Sequence, residues 1–310
     1  MAKKKIILDV DTGIDDAWGI YYALTAPGLD TLALTTVFGN ADLDTTTRNT
    51  LLVAEWLNAS VPVYRGADAP LLRPWGGPVP AFHGVNGLGD VCLPSPLRKA
   101  QAGHAADIMR TLVKAHPGEI TIVAVARLTN LARALLADPS LVPLIPRVVL
   151  MGGAAFVPGN LTPVAEANIW GDPEAAQVVF QSGVPITMVG LDVTMTARLT
   201  QDDLDRWQAT GPLPHVLKEA TAFYIGAYQK DNPGNLGWCP VHDPLAVAVA
   251  EFPDLVGTQR YPVTIETRGQ WTDGMTVVDA RPNVAPSSVE VALHLDQERF
   301  QKLLKSRLLS

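Results

Sequence analysis

Asp9, Asp11, Asp15 and Asp16 stand within eight residues of one another, directly behind the first apolar run of the chain. Carboxylates this close repel, so a folded state that keeps them together needs a compensating cation, and hard divalent ions such as Ca²⁺ are held by oxygen donors of this kind. The cluster reads as a metal site. A solvated acidic turn with one helix cap is the plain alternative, but capping uses only one carboxylate.

The local pattern positions these side chains. Residues 6–8 form a short β-prone run, and Asp9 and Asp11, two apart, project to the same side while the chain stays extended. Gly13 permits a sharp turn, and Asp15 and Asp16 open a helix running through Ala17, Ile20 and Leu24, where their charge meets the positive end of the helix dipole. Two other readings fail on register. The phosphatase pattern Asp-x-Asp-x-Thr or Val would need Thr12 one place later, where Gly13 stands. An EF-hand counted from Asp9 would need glycine and glutamate where Ile14 and Ile20 occur.

Hydrophobic residues make up 47% and charged residues 18% of the 310, enough for a large core and unlike a disordered chain. The expectation is one α/β domain over residues 1–310. A net charge of −7 leaves no basic field for nucleic acid, and Lys3 to Lys5 read as a solvated N-terminus. No run approaches 18 apolar residues and no apolar leader follows the lysines, so no membrane partner and a cytoplasmic location are expected. Cys92 and Cys239 are too few for a disulfide framework and lack zinc-ligand spacing, which makes free thiols of both. Cys239, three residues before His242, is a weak candidate nucleophile.

Strand-like runs at 6–8, 32–37, 61–64, 120–125, 148–151 and 186–189 alternate with helical stretches at 45–57, 105–115, 131–137 and 173–181. This order implies an open, mostly parallel, Rossmann-like sheet with helices on both faces. A Pro/Gly-rich stretch at 64–103, carrying Phe82 and His83, reads as a lid or recognition loop. Residues 223–228 are a second mobile candidate; their aromatics fall at helical spacing and read more readily as core than as ligand contacts. Residues 261–267 read as a further strand and 296–308 as an amphipathic helix.

More ligand-type residues sit at the ends of later strands. Asn40 follows one, Thr129 and Asn130 another, and Met151-Gly152-Gly153 a third. The loop from Gly159 to Asn168 holds Asn160, Glu166 and Asn168 with little else polar, a set suited to a ligand rich in hydroxyls. Val241-His242-Asp243-Pro244 puts an imidazole beside a carboxylate before an apolar helix; by itself this is equally an N-cap with a neighbouring histidine.

Taken in order, these segments resemble the nucleoside hydrolase family, the inosine-uridine-preferring N-ribohydrolases, along nearly the whole chain. The N-terminal cluster is similar to the family's Asp-x-Asp-Pro-Gly-x-Asp-Asp, the middle loop to Asn-x-Thr-x-x-Ala-Glu-x-Asn, and the last element to its His-Asp-Pro. The resemblance implies Ca²⁺ held by Asp11, Asp16 and Asp243 with the backbone carbonyl of Thr129. It also implies a ribonucleoside whose 2′- and 3′-hydroxyls meet Asp15, Asn168 and Asp243. Glu166 and Asn160 would hold the 5′ side, Asn40 would lie near the reacting centre, and His83 would belong to the recognition loop. A homodimer or homotetramer is the assembly it suggests.

The residue chemistry points the same way. Breaking an N-glycosidic bond develops an oxocarbenium-like sugar, which nearby anionic groups stabilise. Asp11 is the candidate base for the attacking water, and His242 the candidate acid for the departing purine or pyrimidine base. The preference between bases depends on the His83 loop and the Tyr224/Tyr228 helix. Three positions depart from the family pattern: Thr12 and Arg127 where prolines are usual, and Ala167 where an aromatic is common. A modified nucleoside or another N-riboside is therefore the alternative substrate, and a catalytically silent nucleoside or ribose binder the alternative of a different class.

Overall fold

Along β1 (Lys4–Val10), Ile6, Leu8 and Val10 enter one hydrophobic core and Ile7 enters a second, all without exposure. A strand apolar on both sides must lie in the middle of a covered sheet. The computed structural model, which describes residues 3–285 and 287–309, puts it there. β1 pairs in parallel with β2 (Leu29–Thr36) on one side and β4 (Ile120–Ala124) on the other. β3 (Val63–Arg65) extends the sheet beyond β2, and β5 (Arg147–Met151) and β6 (Ile186–Val189) extend it beyond β4. β12 (Val289–Leu295) is parallel to β6, and β9 (Val256–Arg260) closes that edge antiparallel to β12. The order is β3-β2-β1-β4-β5-β6-β12-β9, a mixed eight-stranded sheet in a single-domain α/β fold. Two short ribbons stand apart: β7 (Arg198–Thr200) with β8 (Trp238–Pro240), and β10 (Val263–Ile265) with β11 (Thr276–Val278).

The chain leaves β1 toward β2 on one side and later returns to β4 on the other. The gap between the carboxyl ends of β1 and β4 is thus a topological switch point, where open α/β sheets bind ligands. Helix α1 (Ile14–Thr25) follows β1, and α2 (Leu43–Trp56) follows β2. The loop after β3 contains α3 (Pro80–His83), followed by α4 (Ala105–Ala115) and, after β4, α5 (Thr129–Ala137). Then come α6 (Ala167–Gly171), α7 (Pro173–Gln181), α8 (Leu191–Thr194), α9 (Gln201–Arg206) and α10 (Pro212–Asp231). α11 (His242–Glu251) is buried along its whole length, and α12 (Gln297–Leu308) packs near it. Among the described residues no helix is long and apolar enough to cross a membrane.

Within the strand-like run at 261–267, β10 forms a ribbon with β11 that packs on α7, apart from the main sheet. The stretch 64–103 contains α3, whose His83 is buried, while Leu72, Val85 and Leu97 stand exposed. Thr12, in the place of a proline, exchanges a 2.6 Å hydroxyl bond with Thr50 of α2 and so ties the turn to the next helix.

Asn130 joins three segments at the switch point. Its Nδ2 donates to Asp9 Oδ1 at 2.8 Å and to the Thr36 carbonyl at 3.1 Å, and its Oδ1 accepts from the Ala67 N–H at 2.9 Å. Asn130→Leu strands these buried groups together and is expected to cost about 2–4 kcal/mol of stability, read from urea midpoints. A loss below ~0.5 kcal/mol would contradict this account.

Candidate active site

β1 runs straight into α1 through Asp11-Thr12-Gly13. Gly13 caps α1 in an ordinary extended conformation, φ −96°, so a left-handed turn is not what requires glycine here. A Cβ at this position would lie 2.5 Å from His83 Nδ1 and 2.8 Å from Asn40 Nδ2. The missing side chain is what lets the β2 and α3 loops close on the turn. Asp16, in the first turn of α1, accepts from the N–H groups of Asp11 (3.0 Å) and Gly13 (2.9 Å) and from Asn40 Nδ2 (3.0 Å). Asp11 Oδ2 accepts from the Asn40 N–H at 2.7 Å, while Asp11 Oδ1 is buried with no partner among the described residues.

α11 brings Asp243 to the same point, and one carboxylate oxygen from each of Asp15, Asp16 and Asp243 lies within 4.8 Å of the others. Burial raises all three carboxyls, and neighbouring carboxylates, Asp11 among them, raise each further; Asp15 is pushed up to about 7. Asp11 is raised by burial against the opposing pull of Arg127. Such a set is stable either protonated or around a cation. Hard oxygen donors, an orphaned buried oxygen and excess negative charge fit a divalent ion. Asp9 lies behind, held by Thr35 Oγ1 (2.6 Å) and Asn130, and burial pushes it up to about 7.

Above the cluster opens a cavity of about 400 Å³, within the range of small-ligand pockets. Asp15, Asn40, His83, Asn160, Glu166, Asn168, His242 and Asp243 line it, whereas Asp11 and Asp16 sit one layer back. Glu166 caps α6, accepting from the N–H groups of Gly153 (3.0 Å), Asn168 (2.9 Å) and Ile169 (3.1 Å). Asn168 Nδ2 donates to the carbonyls of Val125 (3.0 Å) and Met151 (3.2 Å), bridging the ends of β4 and β5. Asn160 Oδ1 accepts from the Ala167 N–H.

Thr129 is not brought to the cluster. It is the first residue of α5, its hydroxyl donates to Asp172 Oδ2 at 2.6 Å, and a carbonyl there belongs to the helix's own bonding pattern. Four residues earlier, Val125 lines the cavity and its carbonyl accepts from Asn168 Nδ2. Arg127, flagged only as a departure, is 5% exposed and pairs with Asp11 through Nη1.

The opposite wall holds aromatics that also pack on the core. Tyr224 and Tyr228 of α10 line the cavity with their rings edge to face at 5.0 Å, and Phe82 meets Tyr228 the same way at 5.2 Å. The Tyr228 hydroxyl is 3.0 Å from His242 Nε2, and His242 Nδ1 is 2.8 Å from Thr194 Oγ1. A signal was present: two tyrosines four apart carry hydroxyls that a buried wall must satisfy. Cys239 is buried and its thiol is raised by that burial, so it is no thiolate nucleophile.

Both histidines are neutral. Burial pushes His242 down to about 4 and His83 down to about 3. The Ile14 N–H donates to His83 Nδ1 at 3.2 Å, which leaves the His83 proton on Nε2. An unfolded histidine titrates near 6.5, so the stability from burying neutral His83 is complete above that pH and is lost as pH falls toward 3. Wild type is expected to lose about 2 kcal/mol more than His83→Gln between pH 7 and 5. Urea denaturation at the two pH values checks this; parallel losses would refute a neutral buried His83.

A buried acidic floor that could hold a metal ion, a rim of amides with a carboxylate, and an aromatic wall meet at the switch point of a mixed α/β sheet. The family described as inosine-uridine preferring nucleoside hydrolase matches residues 6–302, and the chain belongs to it. It is 39% identical to uridine nucleosidase 1 of Arabidopsis thaliana, over 99% of this chain and 93% of that protein. It is also 39% identical to the pyrimidine-specific ribonucleoside hydrolase RihA of Citrobacter koseri, over 98% and 97%. Among solved structures, the purine-preferring ribonucleoside hydrolase of Gardnerella vaginalis superposes with a TM-score of 0.92 at 37% identity, covering 98% of each chain. The plant nucleoside hydrolase PpNRh1 gives 0.93 at 35%, covering 99% of each.

Proposed function

We propose that the protein is a Ca²⁺-dependent ribonucleoside N-ribohydrolase releasing free base and ribose. The observation that carries this reading is the buried trio Asp15, Asp16 and Asp243, with the orphaned Asp11 Oδ1 beside it, under a cavity rimmed by Glu166 and Asn168. Asp11, Asp16 and Asp243 would hold the ion, with the Val125 carbonyl in place of that of Thr129. When bound, Ca²⁺ supplies positive charge that acidifies and orients a water.

The chain's own groups supply the rest. Asp15, Asn168 and Asp243 accept from and donate to the 2′- and 3′-hydroxyls as their chemistry allows, and Glu166 and Asn160 meet the 5′ side. The carboxylates face the positive charge that builds on the ribose. Asp11 takes the proton of the attacking water through its free Oδ1. Opposite, His83 offers its Nε2–H, while Tyr228, backed by His242, offers a hydroxyl toward the departing base. His242 thus acts through Tyr228.

The relatives' names divide between purine and pyrimidine preference, and the Phe82, Tyr224 and Tyr228 wall is the surface that would rank the bases. A cytoplasmic location is supported by two unpaired cysteines. A homodimer or homotetramer is the assembly the family resemblance suggests; light scattering reads the number.

The test is ribose release from inosine, adenosine, guanosine, uridine and cytidine, before and after EDTA. Release abolished by EDTA and restored by Ca²⁺ is the expected outcome. Release untouched by exhaustive chelation would overturn the metal dependence. No release from any nucleoside by Ca²⁺-loaded protein would overturn the substrate class.

A further inference from the structure

Arg127 leaves the end of β4 and crosses into the acidic cluster. Its Nη1 donates to Asp11 Oδ2 and is 3.2 Å from Asn168 Oδ1 and 3.4 Å from Asn40 Oδ1. The site around it is shaped for this side chain. A Cβ at Gly39 would lie 2.6 Å from Nη1 and 2.8 Å from Cζ, and a Cβ at Gly171 would lie 2.7 Å from Nε and 2.8 Å from Cγ. Two glycines from separate segments therefore leave the channel that the guanidinium fills. Nε, buried within it, has no partner among the described residues.

The charges make this pairing consequential. Asp11, Asp15, Asp16 and Asp243 are all at most 6% exposed, and Arg127 is 5% exposed, so solvent and salt screen none of them well. The three carboxylates that already converge are Asp15, Asp16 and Asp243; Asp11 is outside that trio, with one oxygen on Arg127 and the other unpartnered. A planar guanidinium holds a carboxylate more firmly than an ammonium would. A divalent ion in the cluster and the guanidinium thus claim the same aspartate.

We propose that Arg127 is a built-in competitor of the metal ion. In the metal-free protein it latches Asp11 and steadies the acidic cluster; an ion must draw Asp11 from this latch to complete its oxygen shell. The latch stabilises the metal-free fold and lowers metal affinity by the same coupling, since each cation disfavours the other on Asp11. Arg127 is in these terms a positioning residue that sets the free Ca²⁺ concentration at which the site fills. This inference rests on the metal reading above.

The test is calorimetric titration of the full-length, chelator-stripped protein with CaCl₂, comparing wild type, Arg127→Gln and Arg127→Lys. Arg127→Gln is expected to bind Ca²⁺ at least about tenfold more tightly, because a unit charge a few ångströms away is worth more than that at protein dielectric. Arg127→Lys keeps the charge without the fork and falls between. In EDTA, Arg127→Gln should melt below wild type, and saturating Ca²⁺ should close that gap. Detectable binding in Arg127→Gln alone is the same result at its limit. Equal or weaker affinity in a folded Arg127→Gln overturns the latch while leaving the metal reading intact. No binding by any of the three overturns both.

Discussion

Asp243→Asn is expected to lose at least about 10³-fold in kcat/KM, the scale of removing a strong electrostatic contact from a reacting centre. Its Ca²⁺ affinity should fall by more than the roughly 10–100-fold that outer partners of a metal site carry. The reason is positional. Asp243 is the one member of the trio supplied by α11, and its carboxyl is raised by burial and then by Asp15, Asp16 and Asp11. Asparagine keeps the shape and removes the charge. In EDTA the variant should melt above wild type, because one of the mutually repelling carboxylates is gone. A variant that bound Ca²⁺ as wild type does would sink the assignment of Asp243; one that melted lower in EDTA would mean that the four carboxylates do not repel as argued. Calcium titration and melting curves read both.

The second large effect concerns the departing base. Tyr228→Phe and His242→Ala are each expected to lower kcat about 10²–10⁴-fold on inosine and uridine, the range that positioned proton donors contribute. On a riboside whose leaving group departs as a stable anion, such as p-nitrophenolate, the loss should be less than about tenfold. The contrast follows from the 3.0 Å contact between Tyr228 and His242 Nε2 and from the neutrality of His242, which burial holds at about 4. A neutral imidazole in a hydroxyl chain assists a poor leaving group and does nothing for a good one. Equal losses on both substrates would show that these residues act on the sugar or on the fold.

The chemistry of the floor was legible because it is local. Asp9 to Asp16 span a strand end and a helix start, so period and turn together bring their side chains to one place. The ends of β4 and β5 and the 159–168 loop were legible for a related reason: alternating strands and helices imply a parallel sheet, and a parallel sheet sends its carboxyl ends to one side. β9 and β12 were missed, since a C-terminal pair of strands that adds to a distant edge has no local partner to announce it.

What the sequence by itself determined is the inventory: an α/β chain, four clustered aspartates, a loop carrying Asn160, Glu166 and Asn168, and a His-Asp pair, in an order shared with one family. Tertiary structure alone decided which of these groups meet and through what. It made Thr129 the start of a helix, whose carbonyl enters the helical bonding pattern, and set the Val125 carbonyl against Asn168 Nδ2 at the end of β4. It set Tyr224 and Tyr228 both against the core and on the cavity wall, because period locates a helix face but not what lies opposite it. It also set Arg127 on Asp11, 116 positions away. Sequence spacing reports neighbours along one element, whereas a contact between elements depends on strand order and on the room that residues such as Gly39 and Gly171 leave.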